Sequence, residues 1–312
     1  MQEIYIEEND ANMRIDRFLK KYLPQAPSSV LYKGLRKKNI LLNGKKAQEK
    51  DFLKQGDKIT IYFKEETLDK FRGDTRQVRD LDYPKIVKAY RHILIMAKPA
   101  GVLSHPGGGG KNILDQMLAY ARDQGLYDPK KEKTFAPALC NRLDRNTSGL
   151  IIGALSAQAL RDMNQALRDR RVKKYYLALV HGQMKKEVDL SSSLTKDRKK
   201  NQVVLDEGGH LARAIYRPLR STKDRTLVEV DLITGRTHQI RKQLQVLGHP
   251  ILGDRKYGLA RGQEEGLSHQ ALHAYKLVFP NFQGDLEDLS GDQVLYPPEG
   301  DFERAKRRIF HD

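Results

Sequence analysis

The chain has 312 residues, 39% of them hydrophobic, which is enough for two domains with at least one sizeable buried core. Its 57 lysines and arginines outnumber its 40 aspartates and glutamates, so the formal net charge is +17, and an extended anion such as nucleic acid would relieve the self-repulsion. Its apolar runs are far shorter than the roughly 20 residues of a spanning helix, and its acidic start has no signal core, which excludes a membrane-spanning protein and a secreted one. Cys140 is its sole cysteine, which excludes an intramolecular disulfide and favours a reducing cytoplasm.

The first 65 residues predict a small unit of two basic helices followed by a short sheet. Apolar side chains at helical spacing across residues 13–19 predict the first helix, and Ser28 or Ser29 can cap the second. Asn43 and Gly44 tolerate positive φ, so residues 40–45 predict a strand, a tight turn and the start of another strand. Alternating apolar residues across 58–63 predict a closing strand.

Three runs in this region carry a family resemblance that covers residues 12–63: RIDRFLKKYL, SSVLYKGLRKKNILLNGKKA and LKQGDKITIYF. They resemble the alpha-L RNA-binding module of ribosomal protein S-four and its relatives. The resemblance implies that the second helix and the turn after it present cations to the RNA backbone, at Lys33, Arg36, Lys37 and Lys38. The alternative for these four is a solvated helix face, which is the usual place of a charge run.

The rest of the chain divides into a charged stretch and a larger domain. Residues 66–85 carry charges of both signs and few aliphatic side chains, which is typical of a linker, so we predict an RNA-binding domain over 1–65, a linker over 66–85 and a second domain over 86–312. In that domain, apolar patterns predict strands at 92–97, 150–155, 175–180, 212–219, 226–233 and 277–279, and helices at 157–167 and 237–247. Several strands follow one another without intervening helices, so we predict an α+β fold with a mixed central sheet rather than a doubly wound one.

The run NRLDRNTSGL, from Asn141 onward, is the most informative stretch for chemistry. It places Asp144 between Arg142 and Arg145, two cations that favour the charged form of the carboxylate. An ionised and positioned aspartate can serve as a nucleophile, a base or an ion-pair partner. From chemistry alone, a structural salt bridge ranks ahead of catalysis.

This run resembles the signature of RluA-type pseudouridine synthases, H-R-L-D-x-x-T-S-G. Two more blocks follow in the order of that family: KYYLALV at 174–180 resembles its K-x-Y-x-A-L-V strand, and GRTHQIR at 235–241, continuing to LGHPILGD at 247–254, resembles its helix and following loop. The resemblance spans roughly residues 86–280. Asn141 stands where the family usually has histidine, which leaves the local hydrogen-bond pattern open.

The resemblance implies a nucleophile and two supporting residues. Asp144 matches the family's nucleophile, which either attacks the anomeric carbon of the target uridine or helps to remove a 2′ proton to give a glycal-like intermediate. Tyr176 matches the tyrosine that packs on the target base and takes part in proton transfer. Arg241 matches the arginine that pairs with the nucleophile and keeps it oriented and charged. Without the resemblance, a half-buried strand tyrosine and a helix ion pair are the ordinary roles of Tyr176 and Arg241.

The resemblance also implies how RNA is engaged. Arg142 matches the arginine that enters the RNA stack when the target nucleotide is flipped out, and Arg236 is a further predicted RNA contact. No cofactor is expected. His269 and His273 have the histidine spacing of a metalloprotease, but Gln270 stands where its glutamate belongs, so no metal is expected either.

The predicted substrate is large-subunit ribosomal RNA. Among RluA-type enzymes, a chain with an added RNA-binding domain resembles the members that act on this RNA. Two alternatives stay open. One is a synthase that acts on transfer RNA, and the other is a ribosome-assembly or RNA-chaperone protein that binds RNA without catalysis. The chain is expected to be a cytoplasmic monomer.

Overall fold

The computed structural model describes residues 1–72, 82–107, 110–129, 132, 134–197, 202–259 and 264–311. The chain folds into two compact units. The first comprises Met1–Asp82, Leu118–Pro137 and Leu155–Gln158, and the second comprises the remainder. The first unit therefore includes two short segments that lie within the range predicted for the second domain.

The amino-terminal part of the first unit, residues 1–72, contains a four-stranded sheet and three α-helices. Its elements are β1 (Gln2–Tyr5), α1 (Ile15–Tyr22), α2 (Ser28–Arg36), β2 (Ile40–Leu42), β3 (Lys45–Lys46), β4 (Lys58–Ile61) and α3 (Glu65–Arg72). The strand order is β1-β4-β2-β3, with antiparallel pairing throughout. The two predicted helices and the hairpin are confirmed, and Asn43 and Gly44 form the turn with φ of 50° and 74°.

Two details of this region differ from the prediction. Neither Ser28 nor Ser29 caps α2, because the helix begins at Ser28 itself and Pro27 precedes it without a side-chain cap. The stretch predicted as a linker begins as the helix α3, in which Leu68 is fully buried against the core of the unit. Leu68 and the partly buried Phe71 pack this polar segment onto the core, although its composition resembles a linker. Residues 73–81 of the predicted linker lie outside the described residues.

Hydrogen bonds explain why the segment Leu118–Pro137 belongs to the first unit. The side chain of Asn9 donates to Glu132 at 2.9 Å, and Thr134 donates to the buried carboxylate of Asp10. The oxygen of Asn9 also accepts from the backbone of Ala157, at 3.0 Å. These contacts join three stretches that are far apart in the sequence.

The larger unit is built on a mixed sheet. The remaining elements in chain order are β5 (Lys85–Ala89), β6 (Ile93–Lys98), α4 (Ile113–Asp123), β7 (Ala138–Leu139), β8 (Ser148–Ala154), α5 (Ala157–Arg168), β9 (Lys173–His181), β10 (Val188–Asp197), β11 (Gln202–Leu205), β12 (His210–Ser221), β13 (Arg225–Leu232), α6 (Gln239–Val246), β14 (Leu272–Val278), β15 (Gln293–Leu295) and α7 (Gly300–Phe310). The 11-stranded sheet has the order β11-β10-β12-β13-β9-β14-β8-β6-β5, with β15 beside β14 and β7 beside β8.

One pair of strands makes the sheet mixed. β14 and β8 run parallel, with His273 opposite Ser148 and Ala274 opposite Gly149, whereas the other pairs of described strands are antiparallel. The predicted α+β class with a mixed central sheet is confirmed. No helix in the described part of the chain is long and apolar enough to cross a membrane.

Candidate active site

The loop between β7 and β8 carries Asp144, and backbone hydrogen bonds fix its shape. The hydroxyl of Ser104 accepts from the N–H of Leu143 at 3.1 Å and donates to the carbonyl of the same residue at 2.8 Å. The N–H of Thr147 donates to the carbonyl of Asp144 at 3.0 Å. Asn141 accepts from the N–H of Ile152 at 2.8 Å, so the amide in place of the usual histidine anchors the start of the loop to β8.

Lys98, the last residue of β6, holds the same loop by hydrogen bonds to backbone carbonyls. Its buried ammonium donates to the carbonyls of Pro99, Val102 and Arg145 at 2.9, 2.8 and 3.0 Å. Burial lowers the pKa of Lys98 to about 7, while the charge of Asp144 acts in the opposite direction. Lys98 therefore ties the turn after β6 to the loop that presents Asp144.

Gly149 allows β8 to approach β14 closely behind this loop. Its φ is +114°, and a Cβ at this position would lie less than 3.0 Å from the backbone nitrogen and oxygen of Ala274. We expect Gly149→Ala to lower the free energy of unfolding by about 2 to 4 kcal/mol, from backbone strain and overpacking together. Denaturant unfolding checks this. Gly235→Ala is the matched control because a Cβ there would meet nothing within 4 Å, and equal losses in both variants would contradict the close approach.

His273, on β14, bonds to β8 through one ring nitrogen and to the residue after β15 through the other. Nε2 lies 2.8 Å from the carbonyl of Tyr296, which can only accept, so Nδ1 accepts from the hydroxyl of Ser148, also at 2.8 Å. Burial lowers the pKa of His273 to about 4, so the folded protein keeps this ring neutral.

The depressed pKa of His273 predicts a loss of stability in acid. Between pH 6.5 and about 4 the unfolded chain binds a proton at this ring that the folded chain does not, so stability falls as the pH falls through that window. The full loss is about 3 kcal/mol. Unfolding free energies measured from pH 7 to 4 should decline less steeply in His273→Gln than in the wild type. Parallel curves would contradict the prediction.

Asp144 is paired with an arginine that is itself fixed by a buried carboxylate. Nη1 of Arg241, on α6, donates to Oδ2 of Asp144 at 3.1 Å. Nε and Nη2 of Arg241 donate to the two oxygens of Asp254 at 2.7 and 2.9 Å. The side chain of Asp254 is 0% exposed, and burial raises its pKa, but the hydrogen bonds from Arg241 prevail and lower it. The bidentate pair leaves one guanidinium nitrogen of Arg241 directed at Asp144.

Tyr176, on the central strand β9, lines the same cleft as Asp144 and Arg241. It pairs with Val230 on one side and Ala274 on the other, and its side chain is nearly buried. Burial and the charge of Asp144 both raise the pKa of its phenol, which is therefore protonated at neutral pH. The structure thus brings together Asp144, Tyr176 and Arg241, the three residues predicted for catalysis.

His238 and Tyr257 also belong to this site, although the sequence analysis did not select them. Nε2 of His238 lies 3.9 Å from Oδ2 of Asp144, and Nδ1 lies 3.0 Å from the hydroxyl of Tyr257. The guanidinium of Arg241 lies over the ring of Tyr257, 5.1 Å from its centroid. The block GRTHQIR contained a signal for His238, since its histidine precedes the predicted arginine by three residues, but nothing in the sequence pointed to Tyr257.

An open cleft of about 1920 Å³ is lined by Asp144, Tyr176, His238 and Arg241, among other residues. Asp144 is the one carboxylate among its described lining residues. The lysines and arginines that line it are Arg142, Arg145, Arg168, Arg170, Lys174, Arg236, Arg241, Arg255 and Lys256. A groove with this charge distribution attracts a polyanion and can hold it by phosphate contacts.

The predicted RNA contacts fall into two groups. Arg142 and Arg236 are exposed and line the cleft. Lys33, Arg36, Lys37 and Lys38 lie in the first unit, on α2 and directly after it, and all four are exposed. His269 lines the cleft as well, but among the described residues no group of three or more His, Cys, Asp or Glu side chains could hold a metal ion.

Comparison with known proteins agrees with the geometry. Residues 92–246 match the RNA pseudouridylate synthase family. Ribosomal large subunit pseudouridine synthase C of Vibrio parahaemolyticus is 32% identical over 296 residues, which cover 91% of this chain and 90% of that protein. The chain belongs to the RNA pseudouridylate synthase family. The predicted RluA-type family is confirmed, and the synthase is an isomerase that modifies RNA.

Two further similarities extend this result. Ribosomal large subunit pseudouridine synthase D of Nitrosomonas europaea is 30% identical to the synthase, over 88% of this chain and 79% of that protein. The structure of human RNA pseudouridylate synthase domain containing 4 covers 72% of the synthase, and 92% of the human chain is matched, with a TM-score of 0.56 at 24% identity. The human structure shows that the fold of the synthase is that of pseudouridylate synthases.

Proposed function

We propose that the synthase converts uridine to pseudouridine in large-subunit ribosomal RNA, with Asp144 as its nucleophile. The observation that carries this proposal is Asp144, the one carboxylate among the described residues of a cationic cleft, held 3.1 Å from Arg241. The choice of RNA is supported by the names of the relatives in Vibrio parahaemolyticus and Nitrosomonas europaea, both ribosomal large subunit pseudouridine synthases.

In the proposed reaction, Asp144 meets the sugar of a flipped-out uridine. The bond between C1′ and N1 breaks, the uracil turns, and C1′ bonds to C5, while the proton of C5 is lost and N1 gains one. Asp144 either attacks C1′ or helps to remove the 2′ proton, and Arg241 holds it in position for both routes. Tyr176 packs on the uracil, where its protonated phenol can also donate a hydrogen bond.

RNA binding is proposed for both units. Arg142 enters the base stack that the target nucleotide leaves, and Arg236 contacts the backbone beside it. Residues 1–65 serve as the RNA-binding domain through the exposed cations on and after α2, and residues 86–312 serve as the catalytic domain.

The protein is proposed to work as a cytoplasmic monomer, and light scattering coupled to size-exclusion chromatography tests the oligomeric state.

The cations on α2 should contribute to affinity in a salt-dependent way. Arg36→Gln with Lys37→Gln is expected to weaken binding to a ribosomal RNA fragment and to reduce the slope of log affinity against log salt by about 2. Arg304→Gln with Arg307→Gln removes the same charge from exposed arginines that pair with acids of their own helix, α7. Filter binding at several salt concentrations compares the two, and equal losses in both would assign the effect to net charge alone.

Tritium release tests the proposed function. RNA labelled with tritium at C5 of uridine loses the label when C5 bonds to C1′, so the wild-type protein should release it from large-subunit ribosomal RNA and not from transfer RNA. Carbodiimide-dependent reverse-transcription stops, mapped in cells with and without the gene, then identify the target uridines. Release of tritium from transfer RNA alone would show that transfer RNA is the substrate instead. Binding without release from any RNA would favour the non-catalytic RNA-binding alternative.

A further inference from the structure

His238 occupies a strained position at the edge of the reaction centre. It precedes α6 with φ of 51° and ψ of 19°, a left-handed conformation that side chains other than glycine, asparagine, aspartate and histidine rarely adopt. Its side chain is 15% exposed and lines the cleft, with Nε2 at 3.9 Å from Oδ2 of Asp144. Backbone strain at a site of this kind points to a functional placement of the side chain.

The hydroxyl of Tyr257 on one side and the carboxylate of Asp144 on the other favour one position for the proton of His238. The N–H of Val203 can only donate, and it lies 2.7 Å from the hydroxyl of Tyr257, so that oxygen accepts. The hydroxyl then donates its own proton to Nδ1 of His238, at 3.0 Å. The remaining proton sits on Nε2. The opposite tautomer would set the lone pair of Nε2 against the anionic oxygen of Asp144.

Burial keeps the ring of His238 neutral at neutral pH. Burial lowers its pKa, and the positive charges of Arg241 and Lys256 act in the same direction. Asp144 and Asp254 act in the opposite direction without reversing the shift. His238 therefore faces Asp144 as a neutral N–H donor.

The gap between Nε2 of His238 and Oδ2 of Asp144 fits one hydroxyl group. At 3.9 Å the two atoms are too far apart for a direct hydrogen bond. A single oxygen about 2.8 Å from each of them closes the triangle, and it can accept from Nε2–H while it donates to the carboxylate. A sugar whose C1′ lies at Asp144 has such a group on the neighbouring carbon.

We propose that His238 and Asp144 together bind the 2′-hydroxyl of the target nucleotide, with His238 as the donor. This inference rests on the proposed role of Asp144, because that role brings the ribose to the gap. It makes His238 a specificity-determining residue, since the 2′-hydroxyl is what distinguishes RNA from DNA at a single nucleotide.

The test uses a synthetic RNA fragment that carries the mapped target uridine, made with either ribose or 2′-deoxyribose at that nucleotide alone. Single-turnover rates are measured for the wild type and for His238→Asn. Asparagine tolerates the left-handed backbone and can pair with Tyr257, but it is too short to reach the gap. We expect about a tenfold slower reaction for the wild type on the deoxy fragment. His238→Asn should be similarly slow on the ribose fragment, with less than a twofold further loss on the deoxy fragment.

Penalties that multiply, so that the doubly altered pair is about a hundredfold slower, would overturn the inference because the two groups would then act independently. His238→Gln restores a donor of similar reach and should recover part of the rate. If His238→Asn is too slow to measure, the ratio of dissociation constants for the two fragments gives the same comparison, with a ratio near one expected for the variant. Asp144→Asn separates the two proposals: turnover by that variant would overturn the proposed function, whereas multiplying penalties beside an inactive Asp144→Asn would overturn only the role of His238.

Discussion

Replacing Asp144 with asparagine is expected to reduce pseudouridine formation on the order of 10³-fold or more while RNA stays bound. Asparagine has the same size and can still accept a hydrogen bond from Arg241, so the loop should keep its shape. It supplies neither a nucleophile for C1′ nor a base for the 2′ proton. Removing a negative charge from a cleft whose other charged lining residues, among those described, are lysines and arginines should leave RNA affinity equal or higher. Single-turnover tritium release and filter binding on the same protein measure both effects.

The control for this variant is Glu207→Gln, which makes the same chemical change at an exposed acid outside the residues that line the cleft. Its rate should stay within twofold of the wild type. If Asp144→Asn retained a rate within tenfold of the wild type, Asp144 would not be the nucleophile. The cleft would then act by binding alone, or through another group.

Arg241→Gln is expected to lower both stability and activity. It leaves the carboxylate of Asp254 buried without its cation, and breaking a buried pair in this way costs about 3 to 5 kcal/mol of unfolding free energy. It also removes the donor that holds Asp144, so the rate should fall well beyond what partial unfolding explains. Arg241→Lys should be intermediate, because a lysine keeps the charge but cannot donate to both carboxylates in the same fork geometry.

Arg142→Gln is the matched comparison for Arg241→Gln. Arg142 is exposed in the cleft, so its loss should leave the unfolding free energy within about 0.5 kcal/mol while it slows the reaction by weakening nucleotide flipping. Chemical denaturation and single-turnover rates on folded protein separate the two variants. An Arg241→Gln protein as stable as the wild type would contradict the buried pairing with Asp254.

The sequence predicted the elements whose side-chain pattern has a clear period, and it missed those that depend on contacts made only after folding. Apolar runs identified β6 and β8, because a strand buried on both faces is apolar throughout. The apolar run at 175–180 identified β9, whose first residues are exposed or half-buried. β10 escaped prediction because its centre is the polar run Ser191–Ser193, which is paired along its length by β12. The helix predicted at 237–247 begins at Gln239, since the left-handed backbone of His238 delays it.

The same distinction holds for the site. The motif blocks identified Asp144 and Arg241, which are 97 residues apart and meet at 3.1 Å. They did not reveal that Asp254 occupies the other side of the guanidinium, because a lone acid in the run LGHPILGD has many ordinary uses. Tyr257 became visible only through its hydrogen bond to His238, a contact that no spacing rule predicts.

The signature that begins with Asn141 separates into two halves with different duties. Its first half presents Asp144 to the cleft, whereas Thr147 accepts from Gln270, Ser148 bonds to His273 and Gly149 lies against Ala274. Ser148 and Gly149 therefore serve the parallel pairing of β8 with β14, while Thr147 also bonds to the backbone of Asp144. A descendant of this chain that had lost its chemistry would still need that second half in order to fold. A Ser-Gly ending is thus a marker of the architecture, whereas under the proposed function the aspartate before it is the marker of turnover.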